Sequence, residues 1–187
     1  MKSADIKKIR KKMEKTLDSA RFEHTLGVTY TAACLAMRYD ADITKAQIAG
    51  LLHDCAKCLT NEKRIFLCKK HNIQMNEAEL KNPQLLHAKV GSFLAMEEFD
   101  IHDQDILNHT TGRPDMSLLE KIIYIADYME PGRKQAPNLS AIRKAAFEDL
   151  DKALLMILED TLSYLHSTGS VVDTMTQKTY DFYSQYS

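Results

Sequence analysis

Two histidines and two aspartates have types and spacing that could build a metal site. His24 stands alone, His53 and Asp54 are adjacent, and Asp127 ends the apolar run Ile-Ile-Tyr-Ile-Ala-Asp at residues 122–127. An ionised carboxylate in an apolar setting is costly unless a metal or another cation meets it. Imidazole and carboxylate ligands suit zinc, iron, manganese and similar ions. We therefore predict that these four residues hold one metal ion, with positions left open for water and a substrate oxygen.

A second His-Asp pair, His102 and Asp103, means that the dipeptide alone carries little information. His53 and Asp54 follow an apolar segment within a predicted helix, whereas the second pair lies between helices among other aspartates. We expect His102 and Asp103 to be exposed, with Asp103 capping a helix.

Helical spacing of apolar residues runs through nearly the whole chain and must position these side chains. No segment alternates convincingly with period two, and only 6 Gly and 4 Pro interrupt the sequence. Capping-box patterns at Thr44 to Gln47 and at Ser117 to Glu120 mark two helix starts. Helices are predicted at about residues 6–17, 19–39, 45–58, 61–71, 84–99, 103–109, from Ser117 to Pro131, 139–165 with a break near Asp149, and 174–183. The predicted fold class is all-α.

Length and charge limit the classes of protein to which the chain can belong. A chain of 187 residues fits one domain, and its net charge of −1 gives no global attraction to nucleic acid or an anionic membrane. We expect neither partner, and a location in the cytoplasm with reduced cysteines. Cys55-x-x-Cys58 could be half a zinc site or a redox pair. Without a second such motif or a β-α-β pattern, buried or incidental thiols are favoured.

The order His, His-Asp, Asp resembles the signature of the HD phosphohydrolase superfamily, here with 28 residues between His24 and His53. More specifically, the chain resembles the YqeK family of symmetrical bis(5′-nucleosyl)-tetraphosphatases from Arg21 to Tyr180. The matching stretches are Arg-Phe-Glu-His-Thr-Leu-Gly-Val at 21–28, Gly-Leu-Leu-His-Asp-Cys-Ala-Lys at 50–57, Leu-His-Ala-Lys-Val-Gly at 86–91, and the long segment 109–133 that begins His-Thr-Thr-Gly-Arg-Pro. The resemblance implies a single HD domain over 1–187, with a core at about 19–134 and C-terminal helices at 138–187 packing on it.

The resemblance also implies the chemistry. His24, His53, Asp54 and Asp127 would ligate iron, although this ligand set would also take another divalent transition metal. The substrate would be a dinucleoside tetraphosphate such as diadenosine tetraphosphate, cleaved symmetrically into two nucleoside diphosphates. A homodimer is compatible with the sequence, which leaves the oligomeric state open.

Three cations are candidates for stabilising charge on the phosphoryl oxygens: Lys57, Arg113 and Arg133. Each could instead be solvated or salt-bridged. For Asp127, the alternative to a metal ligand is an internal salt bridge to Lys57 or Arg133.

Two further histidines, His87 and His109, have three open interpretations. The favoured one is contact with phosphate or proton donation to the leaving group, so that with Asp54 and Lys57 they are predicted as catalytic. A second metal ion is an alternative, since two-metal sites suit phosphoryl transfer, and a structural role is the third.

Further substrate contacts are predicted at Thr110 and Thr111, whose hydroxyls could donate to phosphate, and at Glu23, which could bind ribose or order water. By resemblance alone, Tyr180 is expected to pack on a base. The leading hypothesis is the symmetrical tetraphosphatase. Its alternatives are another HD nucleotide phosphohydrolase acting on a mono- or triphosphate or a cyclic dinucleotide, a non-catalytic nucleotide-binding sensor, or a helical scaffold.

Overall fold

The computed structural model describes residues 6–99 and 104–186, and these ranges contain helices and turns but no strand. The α-helices are α1 (Ile6–Thr16), α2 (Ser19–Arg38), α3 (Ile43–Leu52), α4 (Asn61–Lys70), α5 (Glu77–Lys81), α6 (Leu86–Phe99), α7 (Gln104–Leu107), α8 (Leu118–Met129), α9 (Leu139–Glu148), α10 (Leu150–Ser167) and α11 (Thr174–Tyr183). Short 3₁₀ turns lie at Pro83–Leu85 and Ser184–Tyr186. The all-α prediction is confirmed, whereas the His102-Asp103 pair lies outside the described residues.

Local capping signals explain where several helices begin. The Ser117 side chain accepts from the Glu120 backbone at the start of α8, and the Glu120 side chain accepts from the Ser117 backbone, so the predicted capping box is formed. Between α9 and α10, Asp149 adopts an extended conformation and its side chain accepts two backbone N–H groups of α10. The predicted break near Asp149 is therefore confirmed.

The predicted helix at 45–58 is wrong at both ends. Asp42, not Thr44, caps α3, because the Asp42 side chain accepts from the Lys45 backbone. The helix stops at Leu52, and after it the Cys55 N–H donates to the Leu52 carbonyl at 3.0 Å. These tighter three-residue turns carry the chain through residues 53–59. His53 and Asp54 thus lie at a helix end rather than in mid-helix.

Helix α8 holds a central position, because it packs against α2, α3, α7, α9 and α10. Its Ile122, Ile123, Ile125 and Ala126 are fully buried in the main core, together with Val28 of α2, Leu51 of α3 and Leu154 of α10. A smaller apolar cluster joins α4, α6 and the turn after α3 through Ala56, Leu67, Cys68, Leu86 and Val90. The two clusters fix α8 and α6, which carry Asp127 and His87. Among the described helices, none is long and apolar enough to cross a membrane.

Candidate metal centre

The four predicted ligands converge from α2, the turn after α3, and α8. His24 Nε2 lies 3.0 Å from Asp127 Oδ1 and 3.4 Å from His53 Nε2. Asp54 Oδ2 lies 3.5 Å from His53 Nε2 and 3.9 Å from His24 Nε2. His53 and Asp54 are buried, while the Asp127 side chain keeps 20% of its surface exposed. The cluster therefore lies inside the helical bundle but remains open to solvent on the side of Asp127.

The other oxygen of Asp54 faces a second group of side chains. Asp54 Oδ1 is 3.2 Å from His87 Nε2 and 3.7 Å from His109 Nε2. The two imidazole Nε2 atoms are themselves 3.0 Å apart. All three side chains are buried. A single carboxylate thus lies between two sets of imidazoles, one containing His24 and His53 and one containing His87 and His109.

Hydrogen bonds at the outer nitrogens orient these imidazoles. A backbone carbonyl can only accept, so each Nδ1 that bonds to one must carry the proton, which leaves a lone pair on Nε2 when the ring is neutral. His53 Nδ1 donates to Gly50 O at 2.8 Å, His87 Nδ1 to Gln84 O at 2.5 Å, and His109 Nδ1 to Ile106 O at 2.6 Å. Three ring nitrogens are thereby directed at the centre as acceptors.

This donor set fits metal ions. Nitrogen and oxygen ligands that lie about 2.0–2.2 Å from one ion are about 3.0–3.4 Å from each other. The shortest distances between donor atoms have this size both in the set with His24 and His53 and in the set with His87 and His109. Asp54 Oδ1 is buried and has no hydrogen-bond partner, which is costly for a carboxylate. Among the described residues, the groups of three able to hold a metal are His24, His53 and Asp127, and Asp54, His87 and His109.

Metal binding needs neutral imidazoles and ionised carboxylates, and four of the clustered groups meet this requirement. His24 differs, because burial would lower its pKa but Asp127 and Glu130 outweigh burial and raise it. Burial lowers the pKa of His53 to about 4, and burial likewise lowers the pKa of His87. Burial would raise the pKa of Asp54, but the neighbouring imidazoles outweigh it and hold this pKa well below its usual range. The pKa of Asp127 is lowered in the same way, with His24 as the main opposing influence to burial. These four groups are therefore in their metal-binding forms at neutral pH.

Two of the three predicted cations lie beside the centre. Lys57 Nζ lies 3.2 Å from His87 Nε2, and Arg133 Nη2 lies 3.2 Å from Asp127 Oδ1. Burial lowers the pKa of Lys57. Asp127 therefore forms the predicted salt bridge with Arg133, while it also lies among the other three proposed ligands.

Arg21 was missed by the sequence reasoning as a site residue, although it begins the matching stretch 21–28. Its Nη1 donates to Asp54 Oδ2 at 2.7 Å. Arg21 lies three residues before His24 on α2, so one helical turn places both side chains over Asp54. The family match and this spacing were the signals in the sequence.

Two cavities adjoin the cluster. One of about 130 Å³ is lined by Lys57, His87, His109, Thr110, Tyr124, Asp127, Tyr128, Arg133, Ile157 and Thr161. Within it, the Thr110 hydroxyl lies 3.4 Å from His87 Nε2. The other, of about 450 Å³, contains Glu23 beside His24 and Tyr30. Lys57, Arg133, Thr110 and Glu23 are thus placed where a ligand of the cluster could reach them.

Other predicted contacts lie elsewhere. Arg113 forms a bidentate pair with Glu120, with Nε to Oε1 at 2.7 Å and Nη2 to Oε2 at 2.6 Å. The Thr111 hydroxyl donates to the Gly112 carbonyl, and Tyr180 packs against the main core. No described contact joins these three residues to the metal cluster, so their substrate roles stay predictions.

The Cys55-x-x-Cys58 pair has separate partners. Cys55 Sγ donates to the Gly91 carbonyl, and Cys58 Sγ donates to Asp18 Oδ2. Burial raises the pKa of Cys55 to about 12, which opposes thiolate chemistry. Neither cysteine enters a metal-binding group among the described residues.

Comparison with known proteins identifies the family. The family model described as HD domain matches residues 21–132, which is more than half of the chain and spans all four proposed ligands of the first group. This chain is an HD-domain protein. The HD-domain protein is 38% identical to "Bis(5'-nucleosyl)-tetraphosphatase, symmetrical" of Bacillus subtilis, covering 91% of this chain and 92% of the relative. It is 40% identical to a protein of the same name from Halalkalibacterium halodurans, and the match covers 88% of this chain and 89% of the relative.

A solved structure supports the same fold assignment. It is a crystal structure of a predicted HD superfamily hydrolase involved in NAD metabolism from Clostridium acetobutylicum. The HD-domain protein superposes on it with a TM-score of 0.91 at 43% identity, covering 97% of both chains. The single-domain HD architecture and the family resemblance seen in the sequence are therefore confirmed.

Proposed function

We propose that this HD-domain protein is a metal-dependent hydrolase that cleaves dinucleoside tetraphosphates, such as diadenosine tetraphosphate, symmetrically into two nucleoside diphosphates. The observation that carries the proposal is the complete ligand set His24, His53, Asp54 and Asp127, gathered around one centre in a chain whose relatives bear that name. Both relatives are similar to this chain over about nine-tenths of each sequence.

We propose iron for the first group, with other divalent transition metals as chemically acceptable occupants. A bound ion would polarise a phosphoryl oxygen and acidify water at neutral pH. We also propose a second ion between Asp54, His87 and His109. The Nε2 atoms of His87 and His109 face each other as acceptors at 3.0 Å, and a shared cation removes that repulsion. This geometry favours the second-metal interpretation of both histidines over direct contact with phosphate.

The surrounding side chains have roles that follow from their positions. Lys57 and Arg133 line the smaller cavity and offer positive charge to the phosphoryl oxygens, where negative charge spreads in the transition state. Thr110 adds a hydroxyl donor on the same wall. Arg21 and Lys57 approach opposite oxygens of the Asp54 carboxylate and hold its orientation.

The larger cavity beside His24 has room for a nucleoside, and Glu23 on its wall is suited to accept from ribose hydroxyls. Its aromatic residue is Tyr30, whose side chain is half exposed. Roles for Tyr180, Thr111 and Arg113, homodimerisation and a cytoplasmic location remain predictions.

Product chromatography on diadenosine tetraphosphate with metal-loaded protein tests the proposal. Two molecules of adenosine diphosphate for each substrate molecule are expected. Adenosine triphosphate with the monophosphate would contradict symmetrical cleavage. Tight binding without turnover would support the nucleotide-binding sensor, and inertness toward this substrate with hydrolysis of a mono- or triphosphate or a cyclic dinucleotide would support another HD phosphohydrolase.

A further inference from the structure

Two carboxylates at the C-terminal end of α8 reach the same imidazole ring. Asp127 Oδ1 lies 3.0 Å from His24 Nε2, and Glu130 Oε1 lies 3.1 Å from His24 Nδ1. We propose that Glu130 is a positioning residue for the metal centre, which fixes the His24 ring and strengthens its Nε2 atom as a ligand. This inference rests on the proposed metal site but is independent of which substrate is hydrolysed.

The location of Glu130 is unfavourable unless it has such a role. Its side chain is only 4% exposed, and it caps the C-terminus of α8, where the helix dipole disfavours negative charge. The hydrogen-bonding partners of Glu130 offset this unfavourable placement of its charge. Glu130 Oε1 faces the His24 ring, and Glu130 Oε2 accepts from the Gly132 N–H at 2.5 Å. The carboxylate is thereby held by one backbone group and directed at one imidazole.

Two glycines leave space for this carboxylate. A Cβ atom added at Gly27 would overlap Glu130 Oε2, and one added at Gly132 would lie 2.9 Å from both carboxylate oxygens. Gly27 lies on α2 three residues after His24, so it adjoins the same face of that helix. Gly132 follows α8 directly after Pro131. Both segments that flank Glu130 are therefore shaped to let its side chain reach His24.

Among the four imidazoles, His24 is held differently. His53, His87 and His109 each donate Nδ1–H to a backbone carbonyl, whereas His24 faces a carboxylate. A carboxylate behind a metal-binding imidazole fixes the ring orientation and raises its basicity, and losing such a partner typically costs 10- to 100-fold in metal affinity. Glu130 should therefore favour binding at the first group, which contains His24, over the second.

Cobalt(II) affinity, measured on full-length metal-stripped protein by competition with a chromogenic chelator, tests this role without relying on turnover. Glu130→Gln keeps the shape but removes the charge, and it should weaken the tighter cobalt site about 10- to 100-fold. The matched control is Glu120→Gln, a buried glutamate in the first turn of α8 that bonds Arg113 and not His24. Unchanged cobalt affinity in Glu130→Gln, or an equal loss in Glu120→Gln, would overturn the proposal.

A double-mutant cycle with Gly27→Ala guards against a general folding effect. The added methyl group should displace Glu130 and lower cobalt affinity when Glu130 is present. In a Glu130→Ala background the obstructing carboxylate is gone, so Gly27→Ala should have little further effect. An equal loss from Gly27→Ala in both backgrounds would contradict the proposal. Because cobalt binding is the readout, failure to hydrolyse diadenosine tetraphosphate would leave this result interpretable and would reject only the proposed substrate.

Discussion

The carboxylate of Asp54 and the imidazole of His87 meet as two acceptors, with Asp54 Oδ1 3.2 Å from His87 Nε2. The His87 Nδ1–H is already donated to the Gln84 carbonyl, so a neutral His87 has no proton to offer to Asp54. Asp54 Oδ2 faces the other side, toward His53. Asp54 Oδ2 already accepts from Arg21, whereas Oδ1 has no hydrogen-bond partner, so a cation beside His87 and His109 would satisfy Oδ1. Asp54 therefore offers one oxygen to each group of imidazoles.

Replacing Asp54 with Asn should therefore impair both metal groups at once. The amide keeps the shape but removes the shared negative charge, so metal content should fall toward zero and turnover should fall by more than about 100-fold. Metal analysis and initial rates measure the effect, with circular dichroism as the check on folding. Asp181→Asn, on the exposed face of α11, is the control and should behave like the unmodified protein. Full activity in Asp54→Asn would contradict the proposed role.

Replacing His87 with Gln separates the interpretations of the second group. If His87 holds a second ion, the variant should lose about one metal ion per chain and keep the ion at His24 and His53. If His87 contacts phosphate instead, metal content should stay constant while KM rises. Metal-to-protein ratios after desalting decide between them. His71→Gln is the control, because the His71 ring packs against Phe93 at a tilt and no described contact joins it to the cluster.

Lys57→Gln should lower kcat/KM for diadenosine tetraphosphate about 100- to 1,000-fold without changing metal content. The ammonium group lies in the cavity with His87 and Arg133, where it can oppose charge on the phosphoryl oxygens. Steady-state kinetics measure the effect, and exposed Lys63→Gln is the matched control. Loss of metal from Lys57→Gln would instead assign Lys57 to the structure of the site.

Much of the fold was predictable because its signals are local. The capping box at Ser117 and Glu120, the bounds of α11 and the break at Asp149 each depend on residues close in sequence. Helix α5 was missed, since five residues show no periodicity, although the Asn76 to Glu79 capping box marks its start. The end of α3 at Leu52 depends on turns that the continuous helical pattern conceals.

The candidate site was predictable only in part, for a related reason. Ligand types and order pointed to His24, His53, Asp54 and Asp127. Contacts that depend on tertiary packing left no sequence pattern: the sharing of Asp54 between two imidazole groups, the approach of Arg21, and the carboxylate of Glu130 behind His24. Arg113, a predicted substrate contact, is likewise held by tertiary packing. It forms a bidentate pair with Glu120 at the start of α8.

Glu120→Gln should destabilise the fold in a pH-dependent way. Burial would raise the pKa of Glu120, but its hydrogen bonds from Arg113, Ser117 and Asn108 lower it below the ordinary value of 4.5. Because the folded pKa is depressed, the stabilisation is fully present above about pH 4.5 and is lost as the pH falls through the folded pKa. Near pH 7 the variant should lose about 1–3 kcal/mol.

Urea unfolding of both proteins between pH 3 and pH 7 measures this difference. The gap in unfolding free energy should narrow toward the acid end, and metal content at pH 7 should match that of the unmodified protein. A gap that stays constant with pH would contradict the assigned charge of Glu120.

The proposed metal-dependent activity is tested most directly by titrating metal-stripped protein with iron(II) under anaerobic conditions. At each step, the rate of adenosine diphosphate formation from diadenosine tetraphosphate is measured. We predict no product without metal, a rate that rises with loading, and no such rise in Asp127→Ala. Full activity of the metal-stripped protein, or no adenosine diphosphate from the fully loaded protein, would contradict a metal-dependent symmetrical tetraphosphatase.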